Sequence, residues 1–274
     1  MTATKVTLIR PNKGFGVSDL VEIWEYRELL WALVVRDIKV RYKQTLIGGL
    51  WAIIQPFTTM IIFSFFFGVI AHISSGGVPY PVFSYAGLVL WVYFTGAITA
   101  GSSSMIASSS LITKVYFPRI IIPIAATITG LVDYLIAITI VFFMMLYYHL
   151  IPSFGLVFLP LVVFMTWILA MGISFWLSAI NVKYRDVQYA VPFFIQLLLF
   201  VTPVIYPLSI APNFQMFLML NPMTGLIEMH RDLILNQSPI NYLPMVVSFI
   251  VTMIIFATGA RYFKNSEKYF ADII

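Results

Sequence analysis

Cysteine is absent from the 274-residue sequence. Its absence removes disulfides, thiolate metal sites and thiol nucleophiles, and leaves the redox compartment unspecified. Charge is scarce as well: 10% of residues are Asp, Glu, Lys or Arg and 61% are hydrophobic, against roughly 25% and 45–50% in soluble domains. A soluble fold cannot hide that much apolar surface, so lipid must be the solvent for most of the chain. No G-x-x-x-x-G-K-S/T phosphate loop occurs, and ATP hydrolysis by that route is not expected of this polypeptide. H-E-x-x-H and G-x-S-x-G are missing too. Residues 1–48 are charged throughout, without the short apolar core and small-residue cleavage site of a secretory signal. The first apolar run is therefore expected to act as its own insertion signal. No internal repeat is visible.

What is present is a series of apolar runs long enough to cross about 30 Å of hydrocarbon. They lie near 49–71, 82–104, 120–148, 156–180, 189–207 and 242–263. The positive charges follow them. Lys5, Arg10, Lys13, Arg27, Arg36, Lys39, Arg41 and Lys43 precede the first run, Lys114 and Arg119 follow the second, and Lys183 and Arg185 follow the fourth. Arg261, Lys264 and Lys268 end the chain. With six spans all of these fall on one side, and only Arg231, beside Glu228 and Asp232, falls on the other. The excess of Lys and Arg on the inner side then puts both termini in the cytoplasm. The net charge of +5 follows the membrane, and no nucleic-acid partner is expected. The expected fold is all-α and integral to the membrane. A cytoplasmic segment 1–48 precedes a single six-span domain, 49–263, and a tail, 264–274, follows it.

Residues 19–43 read as an amphipathic helix on the membrane surface. Asp19 suits its cap, with Glu22 three positions on; acids crowd its first half and bases its end, as the helix dipole prefers. Leu20, Ile23, Trp24, Leu30, Trp31, Val34 and Ile38 form an apolar stripe at mostly three- and four-residue spacing. A positive-inside anchor and an interface helix meeting a cytoplasmic partner both fit this pattern. Asp133, near the middle of the third run, costs about 2.5–3.5 kcal/mol on insertion scales. It should face the bundle interior, paired or protonated, with Thr129 one turn earlier as a local partner. A structural tie and a proton relay are both open to it. His72, His149 and His230 fall in three separate outer loops, where a metal cluster is conceivable but bystander roles are commoner.

Residues 101–118 and 181–188 are polar breaks, either ordinary retained loops or docking elements. Residues 208–241 remain apolar despite Pro212, Pro222 and Pro239. The stretches 213–220 and 222–235 are too short to span, and Asn221–Pro222 suits the start of the second as cap and first-turn proline. Two short helices dipping into the outer leaflet are expected, as a pathway rim or a hydrophobic lid. Aromatics form 16% of the chain, most of them at lipid or interface positions. A few would line a conduit through the bundle, where flat rings offer sliding contact: Trp91, Tyr93 and Phe94 in the second span, Phe200 and Tyr206 at the end of the fifth. On an unbroken helix the last two point about 120° apart, and a kink at Pro203 would change that angle.

The run Arg36-Asp37-Ile38-Lys39-Val40-Arg41-Tyr42-Lys43-Gln44-Thr45, followed by Gly48, Trp51 and Pro56, resembles the approach to the first span in ABC permeases that export O-antigen and related polysaccharides. So do Lys114-Val115-Tyr116-Phe117-Pro118-Arg119, Asn181-Val182-Lys183-Tyr184-Arg185-Asp186-Val187, Thr202-Pro203-Val204-Ile205-Tyr206-Pro207 and Leu220-Asn221-Pro222. The resemblance implies a homodimer in the bacterial inner membrane, bound to two ATP-binding cassette subunits that hold ATP and Mg. It implies a transport subunit rather than an enzyme, carrying no cofactor of its own. The cargo would be a polysaccharide on undecaprenyl diphosphate, moved from cytoplasm to periplasm. Arg36, Arg41, Lys43, Lys114, Lys183, Tyr184, Arg185 and Asp186 would contact the ATPases. Asn221, Pro222, Glu228 and Arg231 would belong to a periplasmic gate. Capsule and teichoic-acid exporters share much of the pattern. A secondary transporter or channel would need repeats or several membrane charges, and a lipid-modifying enzyme would need converging acids and histidines.

Overall fold

A computed structural model describes residues 16–43, 47–210, 212–236 and 242–270. Lys5, Arg10, Lys13, Gln44, Thr45, Pro239 and the last four residues lie outside these. Among the described residues every regular element is helical.

The expected surface helix is two helices, α1 (Val17–Glu25) and α2 (Arg27–Lys43), joined at Tyr26. Asp19 is not the cap. Gly16 occupies that place, and Asp19, three residues on, accepts the Gly16 amide at 2.8 Å. The apolar stripe divides by environment. Leu33 and Val34 are buried with Ile121 and Ala125, and Ile23, Leu29 and Leu30 pack beside them; Leu20, Trp24 and Trp31 remain exposed.

Among the described residues, five segments are long and apolar enough to cross a membrane: Gly48–Ile70, Tyr80–Ala107, Ile121–Tyr147, Phe154–Lys183 and Tyr242–Tyr269. The first contains α3 (Trp51–Phe63), which relaxes into a π-helical turn over Ser64–Ile70. The second is α4 (Tyr80–Ala107), the central helix, whose residues are mostly buried. A single turn, α5 (Ser109–Ile112), follows it, then α6 (Ile121–Tyr147). The fourth segment ends in α7 (Leu159–Lys183) and the last holds α11 (Tyr242–Ser266). α7 and α11 meet through Gly172 and Gly259, where a Cβ at position 259 would lie 2.3 Å from the Gly172 carbonyl oxygen. Small residues let membrane helices touch backbone to backbone, where dispersion rather than hydrophobicity drives association.

The predicted fifth span is the main departure. Its helix, α8 (Val187–Val201), has 15 residues, about 22 Å at 1.5 Å each, too short to cross alone. The kink expected at Pro203 is instead a termination. Thr202, preceding the proline, is extended at φ −89°, ψ 136°, as the clash with the proline ring demands. Residues 202–205 then run as buried non-helical backbone. Beyond them lie α9 (Gln215–Met219), shorter than the stretch 213–220 suggested, and α10 (Pro222–Leu235). Asn221 caps α10, its side-chain oxygen accepting the Met223 amide at 3.1 Å, with Pro222 in the first turn. α10 is largely buried, so it packs within the bundle rather than lying over it.

α1 and the end of α11 are held together. Lys264 bonds Asp19 at 2.9 Å and Glu267 at 3.1 Å, and Glu267 accepts the Arg119 amide at 3.0 Å. The start of α1, the α5–α6 loop and the end of α11 therefore share one end of the bundle.

Candidate functional site: a polar cavity among apolar spans

A cavity of about 670 Å³ opens between α3, α4, α6 and α8, close to the end of α2. Its α4 wall carries Tyr93, Thr95, Thr99 and Ser103; Gln55 and Gln196 face it from α3 and α8. Gly96 borders it as well, and a Cβ built there would meet no heavy atom within 4 Å. The α4 hydroxyls satisfy themselves on their own helix: Thr95 donates to the Val92 carbonyl at 3.2 Å, Thr99 to Thr95 at 2.8 Å and Ser103 to Thr99 at 3.1 Å. Tyr93 is buried, and its hydroxyl has no hydrogen-bond partner.

At the cavity's edge Arg41 of α2 pairs with Asp133 of α6 at 2.6 Å, and the Tyr42 hydroxyl donates to the other carboxylate oxygen. Burial, then the adjacent Asp133 carboxylate, pushes the Tyr42 phenol above its ordinary value. Both members of the ion pair keep solvent access, 42% for Arg41 and 24% for Asp133, so the pair contributes roughly 0–1 kcal/mol. Thr129, the expected local partner of Asp133, bonds the Ala126 carbonyl instead. Asp133 thus ties the third span to the surface helix.

Arg41 stands apart from the other residues assigned to an ATPase interface. Lys43, Lys114, Lys183, Tyr184, Arg185 and Asp186 are exposed. Arg36 pairs with its neighbour Asp37 at 2.7 Å, and Lys183 lies 5.1 Å from the Tyr184 ring. Of the aromatic pathway candidates, only Tyr93 lines the cavity. Trp91 and Phe94 pack into the core, their rings 5.8 Å apart. Phe200 is exposed on α8, and the Tyr206 hydroxyl folds back onto the Phe200 carbonyl at 3.0 Å. These two residues meet at a chain turn rather than across a channel.

The outer cluster differs most from its sequence reading. Arg231 is 2% exposed, not a loop cation. It donates to the carbonyls of Phe83 at 3.2 Å, Pro203 at 2.8 Å and Val204, and its guanidinium lies 3.9 Å from the Phe83 ring. Glu228, 3.9 Å away, accepts the Leu208 amide at 3.1 Å. The Asn221 amide reaches the Thr202 hydroxyl at 2.8 Å. Arg231 and Glu228 supply partners to the backbone that the break after α8 leaves without helical bonds, as an apolar environment requires, while Asn221 holds the Thr202 side chain. His230 is likewise no loop residue: it is buried in α10, 2.9 Å from the Tyr134 hydroxyl. No cluster of three or more possible metal ligands forms among the described residues. A sequence signal for the Arg231 clamp existed in the Thr202–Pro203 break, which had to free carbonyls within an apolar run.

Residues 28–235 match the family described as ABC-2 type transporter. An O-antigen export system permease protein of Myxococcus xanthus is 28% identical over 257 residues, 92% of this chain and 98% of the relative. A protein of the same description from Klebsiella pneumoniae is 29% identical, covering 90% of this chain and 95% of its own. A polysialic acid transport protein of Escherichia coli is 26% identical, over 86% and 93%.

Proposed function

This chain belongs to the ABC-2 type transporter family, and we propose that it is the membrane-spanning subunit through which an O-antigen-like polysaccharide leaves the cytoplasm. The polymer rides on undecaprenyl diphosphate. Two copies of the chain form the conduit in the inner membrane, and two separate subunits, holding ATP and Mg, supply the energy. The relatives described as O-antigen export permeases support the cargo class.

The observation that carries the reading is the cavity: a space of about 670 Å³ whose largely apolar wall is interrupted by the hydroxyls of Thr95, Thr99 and Ser103 and the amides of Gln55 and Gln196. Its hydroxyls and amides suit a hydroxyl-rich solute, and its single ion pair offers nothing to hold that solute tightly. A polymer must move through without being bound at each repeat. Polar groups facing hydrocarbon are disfavoured, and the segment containing α3 is little buried. A second copy laid against α3 and α8 would close the cavity into a conduit.

The shared position of α1, the α5–α6 loop and the end of α11 favours an even number of crossings. α8 with the buried stretch after it then counts as the fifth of six, and both termini are cytoplasmic. Arg36, Lys43, Lys114, Lys183, Tyr184, Arg185 and Asp186 form the ATPase docking surface, with Arg41 relaying α2 movement to Asp133 and the cavity. Glu228, Arg231, Asn221 and Pro222 brace the outer gate.

The test is purification of the tagged chain from its native host. A phosphate-loop ATPase should copurify, and its turnover should rise when lipid-diphosphate-linked polysaccharide is added. Deletion should leave that lipid-linked polymer inside the cell. Purification without an ATPase, combined with normal surface polymer in the deletion strain, would refute the reading.

A further inference from the structure

We propose that the cavity selects an uncharged, hydroxyl-rich saccharide and discriminates against polymers carrying a carboxylate on each repeat. The inference rests on the export reading above and deepens it, since one relative is described as a polysialic acid transport protein. Two independent features lead to it.

The first is charge. Among the described residues, Arg41 and Asp133 are the only Lys, Arg, Asp or Glu side chains that line the cavity, and they neutralise each other at 2.6 Å. No surplus cation is left to meet an anion. The outer cluster does not supply one. Its single guanidinium, Arg231, is buried and committed to the carbonyls of Phe83, Pro203 and Val204, with Glu228 close by. A polyanion entering here would bring a row of carboxylates against walls that offer no counter-charge among the described residues, where each would lose part of its hydration without an ion-pair partner.

The second is hydrogen-bond polarity. Thr95, Thr99 and Ser103 donate their protons to carbonyls of α4, so the oxygens they turn to the cavity act as acceptors. A sugar hydroxyl both donates and accepts, and it complements such a wall. An ionised carboxylate only accepts, and meets these oxygens with repulsion. The unpartnered Tyr93 hydroxyl on the same wall and the Gln55 and Gln196 amides on α3 and α8 add donors, which suits the mixed pattern of a neutral sugar.

The experiment uses the full complex with its ATPase subunits, reconstituted in liposomes. Two synthetic substrates of equal length are compared, a glucose oligomer and a glucuronate oligomer, each linked to the same polyprenyl diphosphate. The glucose oligomer should be transported faster by about tenfold or more, the effect of even one poorly compensated carboxylate. Gln196→Lys places a cation on an exposed rim position without removing a bond, and should narrow that ratio by accelerating the glucuronate oligomer. Equal transport of the two substrates by the unaltered complex would overturn the proposal, as would an unchanged ratio in a normally assembled Gln196→Lys complex. Failure to transport either oligomer, with ATPase activity intact, would instead bring down the export reading itself.

Discussion

Gly96 offers a way to fill the polar cavity without disturbing its walls. A Cβ there meets no heavy atom within 4 Å, whereas one at Gly101, about a turn and a half further along α4, would lie 2.2 Å from the Ser174 Oγ. Gly96→Ala removes a helix-weakening glycine and should be neutral or stabilising by up to about 1 kcal/mol. Gly96→Trp projects a large ring into the 670 Å³ space while leaving the helix packing alone. Gly101→Ala is the opposite case: it overpacks the α4–α7 contact and should cost about 1–3 kcal/mol. The expected pattern is a dissociation of assembly from transport. Gly96→Trp should assemble with its ATPase and melt near the parent temperature, yet lose export by at least about tenfold, as a conduit narrowed at one point requires. Gly101→Ala should lower the melting temperature and the yield of complex. The assays are thermal melting in detergent, recovery of the complex by size exclusion, and surface polymer in a deletion strain. Full export by a normally assembled Gly96→Trp variant would refute the assignment of the cavity to the pathway.

Arg231→Met removes the donors to three carbonyls and should destabilise the fold by about 3–5 kcal/mol, the range for breaking a buried charged network. Arg231→Lys should rescue little of it, because an ammonium cannot reproduce the planar fork and ring stacking; melting temperatures near the parent in both variants would show the clamp to be dispensable. Asp133→Asn keeps the shape and loses an ion pair worth roughly 0–1 kcal/mol. Export should therefore persist in it and fall in Asp133→Leu, while loss of export in a stable Asn variant would point to proton transfer. Cysteines introduced at Ser75 and Ser266 should label from opposite faces of the membrane, and labelling of both from the periplasm would break the six-crossing arrangement.

The apolar run lengths and the clustering of Lys and Arg between them were readable directly, because hydropathy and local charge are properties of contiguous residues. The α10 start was readable for the same reason: Asn221 and Pro222 act on the two turns beside them. In the fifth run hydropathy continues to Pro207 while the helix stops at Val201; apolarity reports what a side chain tolerates, not where its amide is bonded. The partners of the charged residues were beyond reach altogether. Arg41 meets Asp133 across 92 positions of chain, and Arg231 meets Phe83 across 148. Sequence alone could require that Asp133 be paired, since an isolated charge in hydrocarbon is too costly. Only the packing of α2 against α6, and of α10 against α4 and the broken end of α8, decided which groups meet that requirement, because it depends on which distant segments the tertiary fold brings within hydrogen-bonding distance.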